Sequence, residues 1–315
     1  MIDISSPEDT LRSYITSLPF WRGPIALDLL VGGLCNKNFV ARQGAEKYVV
    51  RVGGDVWVHG IVQASVQNAM QAATELGVTA ALRYAEPGLV VSDFIEGRQL
   101  RPDDVNDEKV LRSWVKTVRQ LHAGSKSVRG SIIYFWPFQV VRHYMRYCDE
   151  HGSRIRASLA ELAEINDMLE RQVDPFEPVF THNDVVPQNA MLGVDGKVYL
   201  IDWDYGAYGN RFFDIAGIAT NADAGADVEE RIIELYFGRV DDKLRRQFHL
   251  FKLVINLREH LWGAVQELSS KLDPETVKAG MSSLYPDQAA GYEGYTEMNR
   301  ERLFANLAEF KRLYN

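Results

Sequence analysis

Cysteine is nearly absent: Cys35 and Cys148 are the only two in 315 residues. Two thiols build no disulfide framework and fit a reducing compartment. No apolar run approaches the length of a membrane span. The N-terminal stretch Met-Ile-Asp-Ile-Ser-Ser-Pro-Glu-Asp is acidic and lacks a signal-peptide core. These absences make the cytoplasm the expected location and argue against membrane insertion. Positive charge is also in short supply. Lys and Arg number 35 against 43 Asp and Glu, and the net charge of −8 removes nucleic acid from the expected partners. Neither an internal repeat nor a low-complexity tract is present. What remains, 46% hydrophobic and 25% charged, is ordinary for a globular chain long enough to hold two lobes, each with its own core.

The chain is organised around the stretch from Thr181 to Asp204. It opens with Thr-His-Asn-Asp-Val-Val-Pro-Gln-Asn-Ala and closes with Leu-Ile-Asp-Trp-Asp. Asp184 and Asn189 have the separation found in a kinase catalytic loop, His-x-Asp followed by four residues and an Asn. That chemistry needs a carboxylate to accept the proton of a substrate hydroxyl and an amide oxygen turned towards Mg²⁺. Four intervening residues let one short loop present both. Ala190 to Leu192 predicts a strand, Asp195-Gly196 a hairpin turn, and Val198 to Ile201 the returning strand. Such a pairing would bring Asp202 beside Asn189 as a second oxygen ligand for the metal. Each fragment alone could be a polar turn or a solvated strand end; their order, with a hairpin between them, is what points to a kinase. His182 is expected to hold the loop backbone by hydrogen bonds rather than to act in catalysis.

His182-Asn183-Asp184 with Asn189, Ile201-Asp202-Trp203-Asp204-Tyr205 and Phe212-Phe213-Asp214-Ile215-Ala216 resemble the aminoglycoside phosphotransferase and choline kinase superfamily. The run from Asp202 to Asp214 is closer to its choline/ethanolamine kinase branch than to the antibiotic kinases. The resemblance implies a protein-kinase-like two-lobe α+β fold, with a small β-rich lobe over residues 1–95 and a larger, mostly helical lobe over 96–315. It implies ATP and Mg²⁺ as cofactors and a small-molecule alcohol as acceptor, and a homodimer is compatible with it. Arg51, rather than Lys47, would meet the ATP phosphates. The backbone from Asp93 to Ile95 would meet adenine, and Asp214 would hydrogen-bond the catalytic loop. Asp204 would help hold metal, order the loop or face the substrate. Leu257-Arg258-Glu259-His260-Leu261-Trp262-Gly263 resembles the choline kinase helix whose Trp lines an ammonium pocket. Gly291-Tyr292-Glu293-Gly294-Tyr295 resembles the aromatic segment that follows it. Trp262 with Tyr292 and Tyr295 would offer ring faces to a quaternary ammonium, which cannot donate hydrogen bonds. There are three departures. Cys35 stands where related kinases have Ser or Thr, Ser65 where a Glu partner for Arg51 is expected, and Val265 where related eukaryotic enzymes carry a second Trp.

Along the chain, Ser6-Pro7 predicts the start of a helix over residues 7–18. Ile25 to Val31, Phe39 to Arg42 and Lys47 to Val52 read as strands. The turn between the first two contains Gly33 and Asn36 and would cover nucleotide phosphates with backbone N–H groups. Residues 57–77 read as one helix stopped by Gly77, with His59 near its exposed start. Ala80 to Ala85 and Leu89 to Phe94 form a hairpin leading to a hinge at Ile95-Glu96-Gly97. Asp103 or Asp104 caps a helix to about His122, with Val110, Trp114, Val118 and Leu121 as its apolar stripe. Further helices are expected over 136–149, 153–172, 227–238, 241–270 and 289–313, and from Phe212. Leu244, Phe248, Phe251, Ile255, Trp262, Val265 and Leu268 stripe the long one. The reading is phosphoryl transfer to choline or ethanolamine. Alternatives are a kinase for thiamine, a sugar or an aminoglycoside, or a nucleotide-binding pseudokinase. Ser65 and Cys35 favour the pseudokinase; Asp184, Asn189 and Asp202 oppose it.

Overall fold

β-Branched and aromatic residues recur along the first hundred positions, and they build one antiparallel sheet. The computed structural model describes residues 6–30, 36–272, 275, 277, 278 and 291–314. Its first strands are β1 (Ala26–Leu30), β2 (Lys37–Gln43), β3 (Glu46–Val52), β4 (Leu82–Glu86) and β5 (Leu89–Asp93), in spatial order β1-β2-β3-β5-β4. One face of this sheet buries Phe39, Ala41, Val50, Val52 and Val91 against Leu11 and Ile15 of helix α1 (Glu8–Thr16). The helix starts one residue later than expected. Pro7, not Ser6, is its cap residue and supplies no side-chain bond.

The helix expected over 57–77 is two pieces. Trp57–His59 is a single 3-10 turn, ended by Gly60 at φ +70°. Val56 and Ile61 then bridge around that glycine, and α2 runs only over Gln63–Glu75. A left-handed residue cannot sit inside an α-helix, so the apolar periodicity across Gly60 was misleading. Helix α2 turns Val66, Ala69 and Ala73 into the large core of the molecule rather than the core of the sheet.

The connection after β5 enters the helical lobe at once. Strand β6 (Gly97–Gln99) pairs with β8 (Ala190–Gly193), which pairs with β9 (Val198–Leu200). Position 97 requires glycine, because a Cβ there would lie 2.1 Å from the Leu192 carbonyl oxygen. Helix α3 (Glu108–Ala123) is capped by Asp107, which accepts from the Lys109 and Val110 amides at 2.8 and 3.2 Å. Asp103 and Asp104 lie instead in a 3-10 turn over Pro102–Asn106. The stripe Val110, Trp114, Val118 and Leu121 is buried. Helices α4 (Pro137–Glu150) and α5 (Leu159–Glu170) follow, the second beginning six residues after the expected position 153 because a 3-10 turn at Arg156–Ser158 precedes it.

Strands β7 (Val179–Thr181) and β10 (Ala207–Gly209) pair beneath the catalytic segment. Helices α6 (Arg211–Thr220), α7 (Ala226–Phe237), α8 (Asp242–Ser269) and α9 (Gly291–Tyr314) complete the lobe. Helix α8 is its spine, packed on α4, α6 and α9. Leu268 is the exception on its stripe. It lies in the last turn, where the helix leaves the core, and is exposed. Among the described residues no helix is long and apolar enough to cross a membrane.

Candidate active site

Strand β7 delivers the chain into the loop that carries Asp184. The loop is fixed from below by Asp214 on α6, whose two oxygens accept from the His182 amide (2.8 Å) and the Asn183 amide (2.7 Å). Asp214 is itself held by His122 of α3 at 2.9 Å. The His182 ring is fully buried, meets the Ile201 carbonyl at 2.9 Å and lies against Trp203. Burial drives its pKa down, so the ring is a neutral scaffold, the backbone-holding role expected of it. Asn183 takes φ +62°, which Asn tolerates better than most residues, and its side chain donates to the Tyr205 carbonyl at 2.9 Å. The next residue, Asp184, accepts from Asn189 Nδ2 at 2.8 Å.

The β8–β9 hairpin does what its sequence predicts. The Ile201 amide donates to the Asn189 carbonyl at 2.9 Å, which brings Asp202 alongside Asn189. Asp202 is left-handed at φ +63°. Its carboxylate has 41% of its surface open to the cleft, while Asp204, two residues on, is nearly enclosed. Arg51 on β3 pairs with both: with Asp204 in close contact and with Asp202 at 3.2 Å. Asn36 Nδ2 adds a bond to Asp204 at 3.1 Å. Gly53 makes room for that Asn, since a Cβ at residue 53 would stand 2.5 Å from Asn36 Oδ1. The carboxylate partner missing from α2, where Ser65 stands, is thus provided by the other lobe. Lys47, the competing cation, is engaged with Glu96 at 2.6 Å instead.

Desolvation pushes the pKa values of Asp184 and Asp202 up, helped by repulsion from Glu259, Asp202 and Asp204 at Asp184 and from Asp204 at Asp202. Arg258 opposes the rise at Asp184 and Arg51 opposes it at Asp202. Crowded carboxylates of this kind suit a dication. Among the described residues no three His, Cys, Asp or Glu side chains converge into a metal cage. Mg²⁺ at a phosphate site takes one or two protein oxygens and completes its shell with phosphate and water. Asn189, whose Nδ2 is committed to Asp184 and whose Oδ1 remains, and Asp202 are a donor set of that hard-oxygen type.

On the other side of Asp184 stands Arg258 of α8, with Nη1 at 3.5 Å from Asp184 Oδ1 and in close contact with Glu259 Oε1. The second Glu259 oxygen accepts from Tyr295 of α9 at 2.8 Å. Trp262, one turn along α8, meets Tyr295 and Tyr292 edge-to-face with ring centroids 5.6 and 5.9 Å apart. The three aromatic residues singled out in the sequence therefore cluster within one chain of contacts from Asp184. His59 joins them. It is only 5% exposed, bonds Tyr144 at 2.9 Å and lies 6.0 Å from the Trp262 ring, so the exposed position expected for it is wrong. Its burial follows from the Gly60 turn, which drives the segment down onto α4.

The sequence model of the phosphotransferase enzyme family matches residues 28–249. The chain belongs to that family. A curated relative, the LicA protein of Haemophilus influenzae, is 24% identical over 257 residues, covering 75% of this chain and 72% of the relative. Among solved structures, the choline kinase LicA of Streptococcus pneumoniae superposes with a TM-score of 0.74 at 19% identity, over 96% of this chain and 99% of the other. A choline/ethanolamine kinase family protein of Mesorhizobium loti gives 0.71 at 20%, over 97% of each. At these identities the structural likeness is one of fold: a β-sheet small lobe and a helical large lobe.

Asp93 and Ile95 of this phosphotransferase, expected to meet adenine, lie at the end of strand β5 and just after it. The Asp93 amide is used by the Ala81 carbonyl and the Phe94 amide by that of Lys47. The Asp93 side chain forms a two-pronged pair with Arg83. Among the described residues the Ile95 amide has no hydrogen-bond partner. Gly33 and Cys35 lie outside the described residues. Sequence reasoning missed the Arg258–Glu259 pair, although both stand in the segment quoted for Trp262. Two adjacent opposite charges on a helix ordinarily mark a solvated face; the signal against that was the apolar residues on either side, Leu253-Val254-Ile255 and Leu257 before the pair and Leu261 and Trp262 after it.

Proposed function

We propose that the enzyme transfers the γ-phosphoryl group of ATP, with Mg²⁺, to the hydroxyl of a small cationic alcohol, choline or ethanolamine. The observation that carries this reading is the position of Asp184, between Asn189 and Asp202 on one side and the linked Arg258, Glu259, Tyr295 and Trp262 on the other. In the step, the acceptor oxygen forms a bond to the γ-phosphorus as the bond to the β-phosphate bridge breaks. ADP leaves, and the hydroxyl proton goes to Asp184. Mg²⁺ on Asn189 and Asp202 would neutralise phosphate charge. Arg51, which already reaches the Asp202 carboxylate, would turn to the α- and β-phosphates. The free Ile95 amide, rather than that of Asp93, would donate to adenine, and the lobe boundary would fall near this residue. Asn36, bonded to Asp204, would stand beside the phosphates. Trp262, Tyr292 and Tyr295 supply faces for an ammonium group, with Asp204 acting through Arg51 rather than on the acceptor.

Most of the rate in such chemistry comes from positioning and charge stabilisation. The test is an ADP-coupled assay of choline, ethanolamine, thiamine and an aminosugar, with and without Mg²⁺. Turnover of choline or ethanolamine is expected. Turnover of thiamine or the sugar alone would overturn the acceptor assignment and keep the transfer chemistry. No turnover with any alcohol, together with intact nucleotide binding, would favour a pseudokinase.

A further inference from the structure

We propose that Arg258 is a positioning residue for Asp184, held in place by Glu259 and tied through Tyr295 to the acceptor pocket, so that the state of the pocket is passed to the base. The inference rests on the phosphotransfer reading above.

Arg258 is almost completely buried, yet only one of its three guanidinium nitrogens is paired. Nη1 serves both Glu259 and Asp184, while Nε and Nη2 are buried without a hydrogen-bond partner among the described residues. A buried arginine retained for stability would have its donors satisfied, because each orphaned one costs free energy. The pairing is also unbalanced. One guanidinium faces two carboxylates, so neither holds it alone. Its plane is fixed by the Tyr205 ring, 4.5 Å away. The carbonyl of that same Tyr205 anchors Asn183, the residue before the base. Platform and base thus belong to one folded segment, and the freedom left to Nη1 is to slide between Asp184 and Glu259.

Glu259 sets that balance. One of its oxygens is on Arg258 and the other on the Tyr295 hydroxyl, and the Tyr295 ring packs edge-on to Trp262. A ligand that shifts the Trp262–Tyr295 pair rotates the Glu259 carboxylate, and through Nη1 it moves the contact to Asp184. A residue that merely lines the pocket affects acceptor binding. A residue in this relay affects the chemical step.

Arg258→Met would leave Glu259 buried without a counter-ion and is the variant most prone to misfold, so Arg258→Lys and Tyr295→Phe carry the test. Tyr295→Phe keeps the ring and removes only the hydroxyl that holds Glu259. Steady-state kinetics should show kcat lowered about tenfold in Arg258→Lys and about threefold in Tyr295→Phe, each with acceptor KM within about twofold of the parent. The double variant should be no slower than Arg258→Lys alone, since both changes break one relay. An increase in acceptor KM at unchanged kcat in Tyr295→Phe, or losses that multiply in the double variant, would overturn the relay alone. A parent enzyme that phosphorylates no alcohol would instead overturn the phosphotransfer reading, and the relay with it.

Discussion

Arg51 and Asp204 form an ion pair between the two lobes, and the same guanidinium stands 3.2 Å from Asp202. A cation on the third strand therefore reaches the two carboxylates that follow β9. Arg51→Ala is expected to raise the KM for ATP about tenfold, the equivalent of one charge-assisted hydrogen bond, and to raise that for the alcohol less. Arg51→Lys should recover part of the loss, because a point charge cannot form a fork. An unchanged KM for ATP in Arg51→Ala would move the role to Lys47, now paired with Glu96.

Asp184→Asn keeps the shape of the base and removes its ability to take a proton. Its kcat should fall by about two decades or more, with ATP affinity by calorimetry close to the parent's. Near-parental kcat on the true acceptor would take Asp184 out of the base role.

Asp202→Ala removes the carboxylate proposed as a hard-oxygen ligand for Mg²⁺. Mg²⁺-dependent turnover should disappear while the thermal melt stays cooperative. Titration of Mg²⁺ in the presence of nucleotide checks it; an unaltered Mg²⁺ requirement would place the metal elsewhere.

Trp262→Ala removes a ring face from the aromatic cluster. The KM for the cationic acceptor should rise at least about tenfold, in line with roughly 1–2 kcal/mol for a desolvated cation–π contact. The neutral carbon isostere of choline should be much less affected. Equal losses for the two would mean that Trp262 serves packing and not charge.

His59 supplies a prediction about pH. Burial holds its pKa near 4 against an ordinary 6.5, with Arg258 and His143 pushing in the same direction and Gln266 and Asp204 opposing. The unfolded chain therefore binds the proton more readily than the folded one. The stabilisation from keeping His59 neutral is complete above about pH 6.5 and is lost as pH falls towards 4, to a total of about 3 kcal/mol. His59→Gln should flatten the fall in denaturation midpoint between pH 7 and pH 5. A slope identical to the parent's would assign the acid sensitivity to other groups.

The catalytic hairpin was legible in the sequence because local rules fix it. A turn signal at Asp195-Gly196 and two short strands determine where Asp202 comes to rest relative to Asn189. Asp214 could be read only by resemblance, since nothing local reveals which backbone amides a carboxylate thirty residues away will cap. The long α8 and the stripe on α3 followed from periodicity. The failures share a cause. Gly60 breaks a run whose apolar spacing suits a helix, Asp107 takes the cap that Asp103 and Asp104 equally offered, and β6 is three residues with no pattern of their own. His59 and the Arg258–Glu259 pair were obscured because burial of a polar side chain is decided by tertiary packing, not by its neighbours in sequence.

Gly97 lets the strand after the small lobe press onto β8, the strand that begins where the loop bearing Asn189 ends. The groups proposed for nucleotide and metal lie between Gly33 and Asp204, and those proposed for the acceptor lie on α8 and α9. Such an order divides the gene as well as the molecule. Drift in about the last quarter of the coding sequence can alter which alcohol is accepted while the earlier part is left intact. Recombination that exchanges α8 and α9 between relatives would be tolerated only where the donor segment brings its own Arg258 and Glu259.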